Sequence, residues 1–256
     1  MRKFKFGILS LTLLSVFTGC QEKNDGGKNQ KEAPVSYAQT TEIPAGIITP
    51  NEVSTSIGTL HFMDGAPLPE TAELVYENLD RMRGVDAFLK AMPAASVRQM
   101  MLGPSEIGVS DYNKVMVTEG LMDSKPLYLT ANTNTLYATP YINMKDLGPM
   151  VLEIPPGMLG AFNDAWFRYM GDIGPFGPDK GQGGKFLLLP PGYEGEVPQG
   201  YFVVQSKTFR VWAFMRGSID KGLENAVKNI KDNLKVYPLS EKDNPKPMEF
   251  MNATGK

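Results

Sequence analysis

The chain has 256 residues, a net charge of −2 and an apolar share of 42%. That is enough to bury a sizeable core, and too nearly neutral to offer nucleic acid a basic field. One Cys and one His exclude a zinc site built from those two residue types, which needs three or four such ligands.

Met1 to Cys20 reads MRKFKFGILSLTLLSVFTGC. Arg2, Lys3 and Lys5 give a positive start, and Gly7 to Phe17 is an apolar run too short to cross about 30 Å of hydrocarbon. The Thr18-Gly19-Cys20 end resembles a bacterial lipoprotein signal. The resemblance implies removal of residues 1–19 and acylation of Cys20, so that the chain's first partner is a membrane of the cell envelope. The alternative is an ordinary signal peptide with a chance cysteine. Gln21, rather than Asp, after the cysteine favours an outer-membrane anchor, on either its periplasmic or its surface face. Residues 20–41 are polar and lack apolar periodicity, which reads as a flexible tether; residues 42–256 then form the folded domain.

Asn51 to Leu60 reads as extended, and Asp64-Gly65 as a turn. His61, beside Phe62 and Met63, reads as structural or surface-exposed, and a Ser–His–Asp triad would have to use it with no GxSxG motif present. Apolar residues from Leu74 to Leu89 recur at spacings of three and four, which predicts an amphipathic helix from about Glu70 to Met92, capped by Thr71 and broken by Pro93. Ser96 to Leu102 is expected to form a second short helix.

Beyond Pro104 the period becomes two. Val115–Val117, Leu127–Leu129, Leu136–Ile142, Met150–Ile154, Trp166–Met170, Phe186–Leu189, Tyr201–Val204 and Arg210–Met215 read as strands. Ile219 to Leu234 reads as a late helix capped by Asp220, with Leu223, Val227, Ile230 and Leu234 on one face. The segment VYPLSEKDNPKPMEF after it reads as irregular. The fold class is therefore α+β: N-terminal helices packed on a mainly antiparallel sheet or sandwich, with one late helix.

Two stretches carry candidate chemistry. In the first, Asn132 and Asn134 lead into a strand bearing Tyr137 and Tyr141; Asn132 and Tyr137 either build a turn or contact a ligand. In the second, Asn163 to Gly195, strand alternation places Trp166, Arg168, Met170 and Asp172 on one face. The Gly-rich run GPDKGQGGK follows, with Lys180 and Lys185. It reads either as a turn or as an anion-binding loop, and it lacks the spacing of a Walker A loop.

These stretches, NTNTLYATPYINMKDLGPMVLEIPPG, DAWFRYMGDIG, GPDKGQGGKFLLLPPGYEG and YPLSEKDNPKPMEF, together with GTLHFMDGAPLPET, resemble the bacterial domain-of-unknown-function family numbered 1254. The resemblance runs from about Ile47 to Lys256. It implies a two-part protein whose second, jelly-roll-like domain of family 1214 would follow, so this chain is expected to lack that domain or to meet a protein partner in its place. No catalytic residue set carries over from it, and the cofactor stays unknown.

Two functions remain open at this level. One is a non-catalytic envelope lipoprotein that binds a small polar or anionic ligand or a partner, through Trp166, Arg168, Asp172, Lys180, Lys185, Asn132 and Tyr137. The other is a hydrolase of a small anionic substrate such as a phosphate ester, with Arg168, Lys180 and Lys185 on the anion and Asp164, Asp172 or Asp179 as base or metal ligand. Convergence of Arg168, Asp172 and Lys185 in one concave pocket would favour the second.

Overall fold

The computed structural model describes residue 42 and residues 44–125 and 131–255. Cys20, the tether and the expected strand Leu127–Leu129 lie outside the described residues. No helix among the described residues is long and apolar enough to cross a membrane.

The chain begins with a small antiparallel meander, β1 (Glu52–Thr55), β2 (Gly58–Met63) and β3 (Ala66–Pro67). Asp64 and Gly65 turn β2 into β3, both at positive φ (50° and 81°), as a two-residue hairpin requires. His61 faces Glu52 across this ribbon, Nδ1 to Oε1 3.5 Å, on a half-exposed surface.

One helix follows, α1 (Pro69–Leu102). It corrects three expectations. Pro69 sits in its first turn, where a missing N–H costs nothing, so Leu68 holds the cap position and Thr71 lies inside the helix. Thr71 is buried instead, and its Oγ1 accepts the His61 N–H at 2.7 Å. Pro93 does not end the helix, and no separate second helix exists. The mid-helix proline lacks one N–H bond and crowds the preceding turn, yet the helix continues to Leu102. Val97 and Met101 bury against the body, whereas Met82, Val85, Phe88, Leu89 and Met92 are exposed. The helix therefore meets the β1–β3 meander through its first turns and the body through its last. A 3-10 turn, Gly103–Ile107, carries the chain back to the body.

Two sheets form that body. Its elements run β4 (Lys114–Val117), β5 (Leu136–Pro140), β6 (Ile142–Asn143), the single turn α2 (Met144–Leu147), β7 (Met150–Ile154), β8 (Met158–Asp164), β9 (Tyr169–Ile173), β10 (Gly184–Leu189), β11 (Phe202–Gln205), β12 (Arg210–Gly217), α3 (Leu223–Asn233), β13 (Lys235–Pro238) and β14 (Glu249–Asn252). The larger sheet has the order β14-β4-β5-β12-β8-β9, with β6 also on β12. The smaller has the order β11-β10-β7-β13. Pairing is antiparallel except for β14 on β4 and β11 on β10, so the architecture is α+β with mainly antiparallel sheets.

The inner faces share one core. Phe162 of β8 meets Phe186 of β10 at 5.4 Å between ring centroids, and Val211, Ala213 and Met215 of β12 join Met150, Leu152 and Leu188. Helix α3 closes this core with Ala226 and Ile230, with Leu234 just beyond its last turn and Leu223 and Val227 half-buried, as the spacing required. It starts later than the sequence indicated. Gly222 holds its cap position, while Asp220 accepts the Ser218 hydroxyl at 2.7 Å. The segment after it is not irregular. It supplies β13 and β14, because its prolines fall at strand ends and between strands.

A candidate binding cavity on the outer face

The outer face of the larger sheet is built by strict alternation. On β12 the small and aliphatic residues Val211, Ala213 and Met215 turn inward, which sends Arg210, Trp212, Phe214 and Arg216 outward. Register places Arg216 opposite Tyr137 and Met215 opposite Ala138, so Tyr137 and Thr139 of β5 share that outer face. Met116 and Thr118 of the adjoining β4 stretch extend it, and the end of α1 covers it through Val97 and Met101 on Trp212.

Beneath this cover lies a cavity of about 380 Å³. Its floor includes Met116, Tyr137, Trp212 and Phe214; its roof is Gly103, Pro104 and Ile107. Trp212 and Tyr137 each lie 5.0 Å from Phe214 between ring centroids, so three aromatic rings run side by side. Polar lining residues are few: Thr118, Thr139, Tyr137 and Glu106, which is exposed and is the one charged residue among the described lining residues. Thr118 Oγ1 accepts the Tyr137 N–H at 2.8 Å, and the Tyr137 hydroxyl accepts the Asn132 N–H at 2.6 Å. Arg216 places its guanidinium 5.3 Å from the Phe214 ring centre, and its buried Nε has no hydrogen-bond partner among the described residues.

Of the candidates read from sequence, only Tyr137 lines this cavity, with Asn132 at its edge through its backbone. Trp166, Phe167 and Arg168 are not in a strand. They form a closed turn between β8 and β9, in which Phe167 takes a φ of 61°. The expected shared face of Trp166, Arg168, Met170 and Asp172 is therefore lost, because strand alternation begins only at Tyr169. The cause is Asp164, which is buried. Its Oδ1 accepts the N–H groups of Trp166 (2.8 Å) and Arg168 (3.0 Å), and its Oδ2 accepts the Arg168 Nε–H at 2.6 Å and forms an ion pair with Nη2 at the same distance. Burial alone would raise this carboxyl's pKa; the Arg168 bonds and charge and the two backbone donors outweigh it and hold it below the usual range. The turn touches the aromatic row through Phe167, 5.6 Å from Trp212, while Trp166 stays half-exposed.

The other candidates have partners elsewhere. Asp172 accepts the Tyr169 hydroxyl at 2.8 Å, which pushes that phenol's pKa upward. Asp179 is buried, and its carboxylate takes the N–H groups of Gly174 (2.8 Å) and Gly183 (3.3 Å), buckling the Gly-rich loop. Other loop N–H groups, those of Gly177, Lys180 and Gln182, go to loop carbonyls rather than outward. Lys180 is exposed at positive φ, and Lys185 on β10 pairs with Glu153 of β7 at 3.3 Å. Arg168, Asp172 and Lys185 thus each have a separate partner, and none lines the cavity. Among the described residues no three His, Cys, Asp or Glu side chains come together as a metal site would need.

The residues that sequence reading missed, Met116, Thr118, Trp212 and Phe214, had a signal. In RVWAFMRG every second residue is large or cationic, and those between are small or aliphatic. A strand whose outward positions are aromatic is a strand with something covering it.

The family described as "Protein of unknown function (DUF1254)" matches over residues 112–238, from just before β4 to the end of β13. That span is narrower than the resemblance read from the motifs, and leaves out α1. No curated protein matches the chain. Among solved structures the chain is similar to the VPA0106 protein from Vibrio parahaemolyticus, at 21% identity and a TM-score of 0.39. The similar region covers 47% of this chain and 32% of that one, so the chain matches about a third of that protein's length.

Proposed function

The chain belongs to the DUF1254 family, and from that premise we propose that it is a ligand-binding protein of the bacterial cell envelope whose site is the cavity under α1. The observation that carries this reading is the cavity's make-up. A volume of about 380 Å³ falls within the roughly 300–1,000 Å³ of small-molecule sites. Its walls are mostly apolar, with three aromatic rings, two methionines and a few hydroxyls, the usual pattern for a site that holds an apolar body and orients it by a polar end. The ligand is thus more apolar than the small polar or anionic molecule expected from the Gly-rich stretch. A hydrolase of an anionic ester has less support, since the three cations do not converge: Arg168 is tied to Asp164, Lys185 to Glu153, and none of them lines the cavity.

The envelope location rests on the N-terminal sequence. Cys20 would carry the lipid, and the polar residues up to 41 would hold the domain off an outer-membrane surface. A second domain or a protein partner beyond this chain remains part of the proposal.

Binding is tested by tryptophan fluorescence. The chain has two tryptophans, so Trp166→Phe leaves Trp212, in the cavity wall, as sole reporter. Titration with small aromatic and alkyl probes is expected to change Trp212 emission saturably, and Ala253→Phe, which fills the cavity from its lining, should abolish the change. Emission that responds equally in the filled variant would remove the cavity as the site.

A further inference from the structure

We infer that the cavity selects a cationic ligand: an ammonium group on an apolar body. The inference rests on the binding role proposed above and adds the charge of what is bound. Three features of different origin converge on it.

The first is the roof. Gly103 and Pro104 lie where α1 ends, so the cavity sits at the C-terminal end of a 34-residue helix. Such an end carries up to about half a negative charge on its last carbonyls, reduced here because the Leu102 carbonyl accepts the Ser105 hydroxyl and the chain continues into the 3-10 turn. Natural helices often place a basic side chain there; α1 has none in its last turn. The second is Glu106, the one charged residue among the described lining residues, three positions beyond Gly103 on the 3-10 turn. The third is the wall. Tyr137, Trp212 and Phe214 offer ring faces whose quadrupoles attract cations, Trp most strongly.

The positive charge near these rings is Arg216, which lies over Phe214. Arg216 itself is not among the lining residues, and because it occupies Phe214 the ring faces left for a cationic ligand are those of Tyr137 and Trp212. An anionic ligand would meet the helix end and Glu106 with no lysine or arginine in the described lining to offset them. A neutral ligand would gain the apolar contacts only.

The test uses the full chain carrying Trp166→Phe and three benzyl probes, of which the first two share one shape. Benzyltrimethylammonium is the cation, neopentylbenzene its neutral isostere, and phenylacetate the anion. Trp212 emission and, independently, ligand-observed NMR measure the affinities. The cation is expected to bind roughly three- to thirtyfold tighter than the isostere, the range for cation–π contacts of increasing desolvation. Phenylacetate should be weakest. Glu106→Gln should narrow the gap between cation and isostere and leave the isostere unchanged, and added salt should weaken the cation alone. Equal binding of cation and isostere, or a gap that Glu106→Gln and salt leave intact, overturns the cationic inference while the binding role stands. Binding by none of the three overturns the binding role and the inference with it.

Discussion

Asp164 gives the sharpest stability prediction, because its side chain holds a turn that sequence periodicity reads as strand. Removing it as Asp164→Ala leaves the Trp166 and Arg168 backbone N–H groups without their acceptor. An unpaired buried donor costs about 1–3 kcal/mol. Both donors belong to an exposed turn that water partly reaches, so the pair is expected to cost about 2–4 kcal/mol. Asp164→Asn keeps the Oδ1 acceptor and loses the charge. Its partner Arg168 is 54% exposed, so the ion pair contributes about 1 kcal/mol or less. The expected order is then Asp164→Ala well above Asp164→Asn, measured by urea unfolding followed by circular dichroism. The carboxyl's folded pKa lies below its unfolded value of about 3.9, so its contribution is full above that value and fades as pH falls through the folded one. The acid limb of wild-type stability should accordingly be steeper than that of Asp164→Asn. Equal losses for the two variants would refute the reasoning, since the charge pair and not the backbone bonds would then hold the turn.

Three further outcomes follow from the fold. Pro93 lies in an exposed stretch of α1, so Pro93→Ala should restore a helix bond and raise helicity at 222 nm, with a gain of up to about 3 kcal/mol; unchanged or lower helicity would contradict the continuous helix. Burial would raise the Glu153 pKa, but the Tyr237 hydroxyl at 2.6 Å and Lys185 outweigh it and hold it low, so Glu153→Gln should flatten the loss of stability toward acid, read from unfolding midpoints between neutral pH and about pH 3. A Cβ at Gly160 would stand 2.1 Å from the Phe214 carbonyl oxygen on β12, so Gly160→Ala should cost about 1–3 kcal/mol or more by urea unfolding; a neutral effect would contradict the β8–β12 register.

Much of the fold was legible because period and punctuation agreed. Val115–Val117, Met150–Ile154 and Arg210–Met215 alternate or run apolar between turn residues, and each is a strand. The strand β8 was hidden because Gly160, Asn163 and Asp164 read as turn residues. Gly160 is there for close strand packing, and Asp164 to fold the chain beyond it. Pro93 misled in the opposite sense, since one lost hydrogen bond in a 34-residue helix does not outweigh the bonds on both sides. The site was less legible still. Charge density drew attention to Arg168, Asp172 and Lys185, yet each is spent on a local partner. The cavity comes from residues far apart in sequence, from Gly103 to Ala253, and only their register brings them together.

The cavity is tested most directly by methyl NMR on chain labelled with ¹³C at the methionine methyls. Met116 and Met122 line the cavity, whereas Met82 and Met92 lie on the exposed side of α1. Saturating benzyltrimethylammonium should shift the Met116 and Met122 methyls and leave Met82 and Met92 in place. Shifts confined to Met82 and Met92, or no shift at any of the four, would contradict a binding site beneath the end of α1.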